Sequence, residues 1–306
     1  MESVAEILQR EAVYLWYYFD LQIRQIFWYW LFGILGGSLI SVFLKGKLHE
    51  WCRRAGEKLS GPAGWLGAAV AGIVSPLCMY GTVPIAASFS QKGIRDDFLA
   101  AFMVCSVLLN PQLVIYSTAL GPVLLPVRIA GCFFCGILAG FLVRVFYVRA
   151  GRTFFCFGEM AAAENRDTDP DPARRLLKNI WRNVRATGPM FLLGIVLSVL
   201  FQRYVPADAF ASLFGRNEGF GVLLAAGMGV PLYVCGGGTI PLMIQWLHDG
   251  MSAGAAAAFM LSGPATKITN LGALKTALPV KHFTLYLGYI ILFSLLCGFL
   301  VNSIFS

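Results

Sequence analysis

Charge is what this chain has least of. Asp, Glu, Lys and Arg make up 13% of its 306 residues against 58% for the hydrophobic types, and the mean hydropathy is +0.69. A surface so poor in charge excludes an ordinary soluble domain of this length. The grammar of the common enzymes is missing too: no P-loop, no HExxH and no defensible Ser/His/Asp spacing. Those absences exclude an ATP-driven pump within the chain and argue against an enzyme or a resident cofactor. No basic region leads into a small-residue cleavage site, and Glu2, Glu6, Glu11 and Asp20 interrupt the amino terminus, so a signal peptide is not expected there. Six of the eight cysteines (Cys78, Cys105, Cys132, Cys135, Cys235 and Cys297) lie inside apolar segments, and only Cys52 sits in an evidently polar loop. A secreted disulfide framework is therefore not expected.

What is present is apolar sequence in runs. Residues 27–44, 122–146, 186–201 and 283–301 are close to the roughly 20 residues that cross a bilayer, which predicts an all-α polytopic membrane protein. The net charge of +8 then reads as a topology signal and not as a nucleic-acid footprint. Residues 1–26, rich in Tyr, Trp and Phe with scattered charges, predict an amphipathic interfacial helix in contact with membrane lipids. Residues 27–146 form a first transmembrane repeat and 183–306 a second. Between them, 147–182 is a charged, proline-bearing cytoplasmic linker.

The loop after the first span carries Lys45, Lys47, Arg53, Arg54 and Lys58, whereas its counterpart at 202–219 has no positive excess. Equivalent loops then lie on opposite sides, as inverted repeats require. Two cytoplasmic loops need an even number of passes between them. Segments 61–77, 82–92, 96–118 and 122–146 supply four, the second short enough to be broken or re-entrant. The expected fold is two inverted repeats of about five segments each, the alternative being eight helices, four plus four.

The repeats share a sentence. Cys78-Met79-Tyr80-Gly81-Thr82-Val83-Pro84 recurs as Cys235-Gly236-Gly237-Gly238-Thr239-Ile240-Pro241, at the constant offset 235 − 78 = 157. Gly93 pairs with Gly250, and Ala100-Ala101-Phe102-Met103 with Ala257-Ala258-Phe259-Met260. Each motif lies between prolines, Pro76 and Pro84 or Pro231 and Pro241, which a continuous helix does not run through. Gly81, Gly237 and Gly238 add conformational freedom. Unwound backbone at membrane depth is tolerated only where it lines a cavity or is covered by protein.

Cys78 and Cys235 are the chemically distinctive groups. A thiolate is a soft ligand for Cu(I), zinc or trivalent arsenic-like centres, so the pair are candidate ligands of a transported soft ion. Thr82 and Thr239 add hydroxyls, and Tyr80 gives the first copy a phenol that the second lacks. A second break follows each motif, at Asn110-Pro111 and at Gly263-Pro264-Ala265-Thr266-Lys267. Asn110 aligns with Lys267, an ionisable group that is costly in apolar sequence and points to function. Thr266 belongs to the same candidate substrate site. Cys132 and Cys135, three apart in an unbroken span, read as helix-face packing. Asp96-Asp97 and His248-Asp249, beside the turn glycines, read as solvated loop tips.

Pro231-Leu232-Tyr233-Val234-Cys235, Gly263-Pro264-Ala265-Thr266 and Cys78 together resemble the predicted permease family that includes the organoarsenical efflux permeases. The resemblance runs from about Trp28 to the C-terminus. It implies a multi-pass protein of the bacterial cytoplasmic (inner) membrane that exports a small-molecule or metalloid substrate. The family often has a second cysteine where this chain has Tyr80 and Gly237, so two thiols remain of four, which suits a ligand needing two sulfurs or one. The competing reading is a thiol-disulfide electron conduit in which Cys78 and Cys235 form a reversible disulfide. Monomer and homodimer are both open, and no nucleic-acid partner is expected.

Overall fold

A computed structural model describes residues 4–39, 42–43, 50, 54, 61–75, 79–91, 93–157, 170–204, 212–215, 219–233, 236–275 and 277–305. Among them there is no strand. The chain is an all-α membrane protein.

The first half contributes α1 (Val4–Leu39), α2 (Pro62–Val74), α3 (Met79–Gln91), α4 (Asp96–Leu108), α5 (Pro111–Ser117) and α6 (Gly121–Phe146). The second contributes α7 (Pro172–Tyr204), α8 (Gly219–Leu232), α9 (Gly236–His248), α10 (Ala253–Thr266), α11 (Ile268–Lys275) and α12 (Val280–Ile304). Shifted by the sequence offset, α2 to α6 fall on α8 to α12 to within two residues at every boundary, and α3 and α9 coincide at both ends.

Packing repeats as well as order. α4 lies between α2 and α6, and α10 lies between α8 and α12 in the same way. α4 and α10 are sealed inside: Asp97–Leu108 and Gly254–Thr266 are buried throughout. Small residues let these backbones approach, as membrane helices require. A Cβ on Gly140 of α6 would sit 2.9 Å from the Asp97 carbonyl oxygen, and one on Gly298 of α12 would sit 2.7 Å from that of Gly254.

Around this core the surface is apolar. α6, with 26 residues, is about 39 Å long, and α6 and α12 are both long and apolar enough to cross the hydrocarbon layer. Phe134, Phe141, Leu292, Leu296 and Leu300 face outward from them, a liability in water but suited to lipid. α1 is one uninterrupted helix, so the aromatic stretch up to residue 26 and the apolar run after it are a single rod. It packs on α5 and α7, while α7 packs on α9. These outer contacts do not follow the repeat.

Candidate functional site

The paired motifs sit at paired helix breaks. α2 stops at Val74, and the Ser75 N–H still donates to the carbonyls of Ala71 (3.0 Å) and Gly72 (3.2 Å) while its backbone turns extended. α3 resumes at Met79. In the second half α8 stops at Leu232 and α9 resumes at Gly236. Cys78, Cys235 and Pro76 lie outside the described residues. Tyr80, Gly81 and Pro84 are in α3, Gly237 in α9 and Pro231 in α8.

The breaks differ from the sequence expectation in one respect. The motif glycines are helical and none has positive φ. The helices run on through Pro84 and Pro241, each of which removes one ladder bond, and the described non-helical residues, Ser75 and Tyr233, precede the glycines. What the glycines provide is space: a Cβ on Gly194 of α7 would lie 2.5 Å from the carbonyl carbon of Gly238, so α7 and α9 meet backbone to backbone.

Each motif helix ends on a matched cap. Gly93 (φ 80°) and Gly250 (φ 96°) adopt the left-handed conformation that closes a helix. Ile94 N–H reaches back to the Phe89 carbonyl (3.1 Å) and Met251 N–H to that of Trp246 (2.9 Å), the same bond in both halves. The caps turn α3 into α4 and α9 into α10. Thr82 is thereby brought against α4, its Oγ1 3.0 Å from Ser106 Oγ with both side chains buried. Thr239 on α9 is also buried.

The second breaks are built differently. Asn110 is the N-cap of α5: its Oδ1 accepts from the Leu113 N–H at 2.8 Å, and Pro111 occupies the first turn, where no donor is missed. Lys267 is the half-buried C-cap of α10. The fully buried Thr266 donates to the Ser262 carbonyl (2.9 Å). Pro264 lies inside α10, which continues past it until the Lys267 N–H donates to the Gly263 carbonyl (3.1 Å), and the Pro264 carbonyl accepts from Asn270 Nδ2 at 2.6 Å.

The halves meet reciprocally at these elements. α3 packs on α11, and α9 packs on α5, so the motif helix of each half lies against the short helix after the other half's second break. Tyr233, at the second motif's break, lies over Gly263, where a Cβ would come within 2.9 Å of its ring Cγ. The glycine of Gly263-Pro264-Ala265-Thr266 is thus the seat of the tyrosine of Pro231-Leu232-Tyr233.

Arg128 was not legible as a site residue. It is on α6, 2% exposed. Its Nη1 donates to Ser117 Oγ (2.8 Å), its Nη2 donates to Tyr233 Oη (3.5 Å), and its Nε meets no partner among the described residues. It therefore joins the end of α5 to the break of the opposite half. The available signal was a cation in the middle of an apolar run, since residues 129–143 after it carry no charge and the next cation, Arg144, falls in the last turn of the helix. Burying a guanidinium without a carboxylate costs several kcal/mol.

The carboxylates read as loop tips are anchoring points instead. Asp97, fully buried, accepts from Trp65 Nε1 (3.1 Å), Arg95 Nε (3.0 Å) and Nη2 (2.9 Å), and Arg144 Nη1 (3.4 Å). Asp96 accepts the Phe154 N–H at 2.5 Å and the Phe155 N–H at 3.3 Å. That segment also ties to the second half: Cys156 N–H donates to the Ala277 carbonyl (3.0 Å), and His282 stacks on Phe154 with centroids 4.8 Å apart. Beneath it lies an apolar cavity of about 700 Å³ lined by Met103, Val104, Leu142, Leu278, His282 and Tyr286 among others. Cys132 and Cys135 are buried and free; Cys105 Sγ donates to the Cys132 carbonyl (3.4 Å). Among the described residues no group of three or more His, Cys, Asp or Glu is placed to hold a metal.

The sequence profile of a family described as a predicted permease matches residues 13–303. The chain is 24% identical to the UPF0718 protein MJ0584 of Methanocaldococcus jannaschii over 116 residues, 38% of this chain and 32% of that protein. It is 31% identical to the UPF0718 protein YcgR of Bacillus subtilis over 101 residues, 33% of this chain and 31% of that protein. The chain spans about a third of the length of these curated relatives. No solved structure matches.

Proposed function

The chain belongs to the predicted permease family, and from that premise we propose that it is a multi-pass permease of a bacterial inner membrane that exports a small soft-metal, metalloid or organoarsenical-type solute. Cys78 and Cys235 bind the soft centre. Thr82, Thr239 and Tyr80 complete the shell, with the backbone at Gly81, Gly237 and Gly238, while Asn110, Thr266 and Lys267 border it. The observation that carries this reading is the reciprocal packing of α3 on α11 and of α9 on α5. Two halves of matching order, each broken where it meets the other, suit an inverted repeat with its site at the interface and alternating access by rocking of one half against the other.

Uptake of a trivalent arsenical into everted membrane vesicles tests it. Wild type is expected to accumulate the solute, and the Cys78→Ser/Cys235→Ser double variant to lose that activity. Unchanged uptake by the double variant removes the thiol role, and no uptake by wild type removes the substrate class.

A further inference from the structure

Arg128 is a buried cation that meets no anion among the described residues. No Asp or Glu occurs between Asp97 and Glu159 in the sequence, and among the described residues no carboxylate pairs with Arg128. Two hydroxyl oxygens and an unpaired Nε are what its guanidinium meets. Ser117, moreover, donates its own proton to the Leu113 carbonyl at 2.5 Å, so it presents a lone pair to Nη1. Hydroxyl dipoles offset part of the charge but do not neutralise it.

The unsatisfied part of the fork has a direction. Nη1 is taken by Ser117 at normal length, whereas Nη2 is 3.5 Å from Tyr233 Oη and Nε is unpaired. Nε and Nη2 form the edge of a guanidinium that takes a carboxylate or other oxyanion in two parallel hydrogen bonds. That edge is on the side of Tyr233, the last described residue before Cys235. A lysine could not present it, and a packing role would need neither the charge nor the unpartnered Nε.

We propose that Arg128 supplies the counter-charge for the permeating solute, so that the transported species carries an oxygen anion, a carboxylate or an oxyanion, that docks on the Nε/Nη2 edge as it passes the second half's break. The inference rests on the permease reading and narrows its substrate class. Arg128 recognises the anionic group, and Tyr233, seated on Gly263, sets the distance between that group and the second motif.

Purified full-length protein in lipid nanodiscs provides the test, with acetate, sulfate, phosphate and arsenate as probes at millimolar concentration. At least one is expected to raise the unfolding temperature saturably in wild type. In Arg128→Met that shift should vanish, with affinity weakened about tenfold or more, and Arg128→Lys should retain only part of it because the charge stays and the fork is lost. Without anion, Arg128→Met is expected to unfold no lower than wild type, since an unpaired buried charge has been removed. Absence of any anion-dependent shift in wild type, or an unaltered shift in Arg128→Met, overturns the proposal. Vesicle uptake of neutral phenylarsine oxide separates the two failures. Uptake without anion binding leaves the permease reading standing and sinks this one, whereas neither uptake nor binding sinks both.

Discussion

Asp97 gathers Trp65, Arg95 and Arg144 onto one fully buried carboxylate, joining α2, α4 and α6 at a single point. Removing its charge leaves two guanidinium groups without their common partner, so Asp97→Asn is expected to destabilise the first half by about 3 kcal/mol, read as a lower unfolding temperature in detergent. The equivalent position is Gly254, whose N–H donates to Asn302 Oδ1 at 2.7 Å; there the same seam is held by a neutral bond. Gly263→Ala is the corresponding probe of the second half. Its methyl group has to displace the Tyr233 ring, at about 1–3 kcal/mol for overpacking, and transport should fall along with thermal stability. Residues such as Asp97 and Arg128 were hard to read because their meaning depends on partners far along the chain. Asp97 sits beside a turn glycine, which in sequence suggests solvent, and Trp65 and Arg144 make it an interior residue. Cys132 and Cys135 were easier, since a three-residue spacing fixes the helix face by itself.

At the level of elements, the constant offset made the matching order of α2 to α6 and α8 to α12 legible in advance, and the prolines and glycines announced a break at each motif without giving its position. The prolines mislead about where each break falls. Pro84 and Pro241, each the sixth residue of its helix, remove one ladder bond without stopping the helix, and the non-helical residues Ser75 and Tyr233 lie ahead of both motifs. The turn glycines behave as their spacing suggested. Gly93 has φ 80°, and no neighbouring atom lies within 4 Å of where a Cβ would stand, so Gly93→Ala meets backbone strain alone. A loss of about 1 kcal/mol is expected, and Gly93→Asn should lose less because asparagine tolerates the left-handed region. Equal losses for the two variants in a thermal melt would contradict a φ-based cause. At Gly194 the outcome differs in kind. A side chain there must part α7 from the α9 backbone at Gly238, so Gly194→Leu should uncouple the motif helix and abolish transport even where the protein still folds.

For the molecule as a whole, each half brings its own three-helix core, α2, α4 and α6 or α8, α10 and α12, and the halves interlock through α4, α6, α10 and α12. Fragments 1–160 and 161–306 are therefore expected to co-purify when expressed together, with affinity capture of one recovering the other. Recovery of either fragment alone would mean that the covalent connection, and not the interface, holds the halves. The membrane class and the two-part plan follow from apolar runs and a repeated sentence, both local properties of sequence. Which helix of one half touches which helix of the other is a property of the assembled pair. The segment after α6 adds a practical consequence. Because Asp96 holds Phe154, Cys156 is bonded to Ala277 and Phe157 stacks on Phe155 at 5.3 Å, the chain is moored to both halves before residues 158–169 begin. A rigid soluble domain inserted directly after Phe157, beyond both anchoring points, is expected to serve as a fiducial for imaging so small a membrane protein without disturbing how its halves meet.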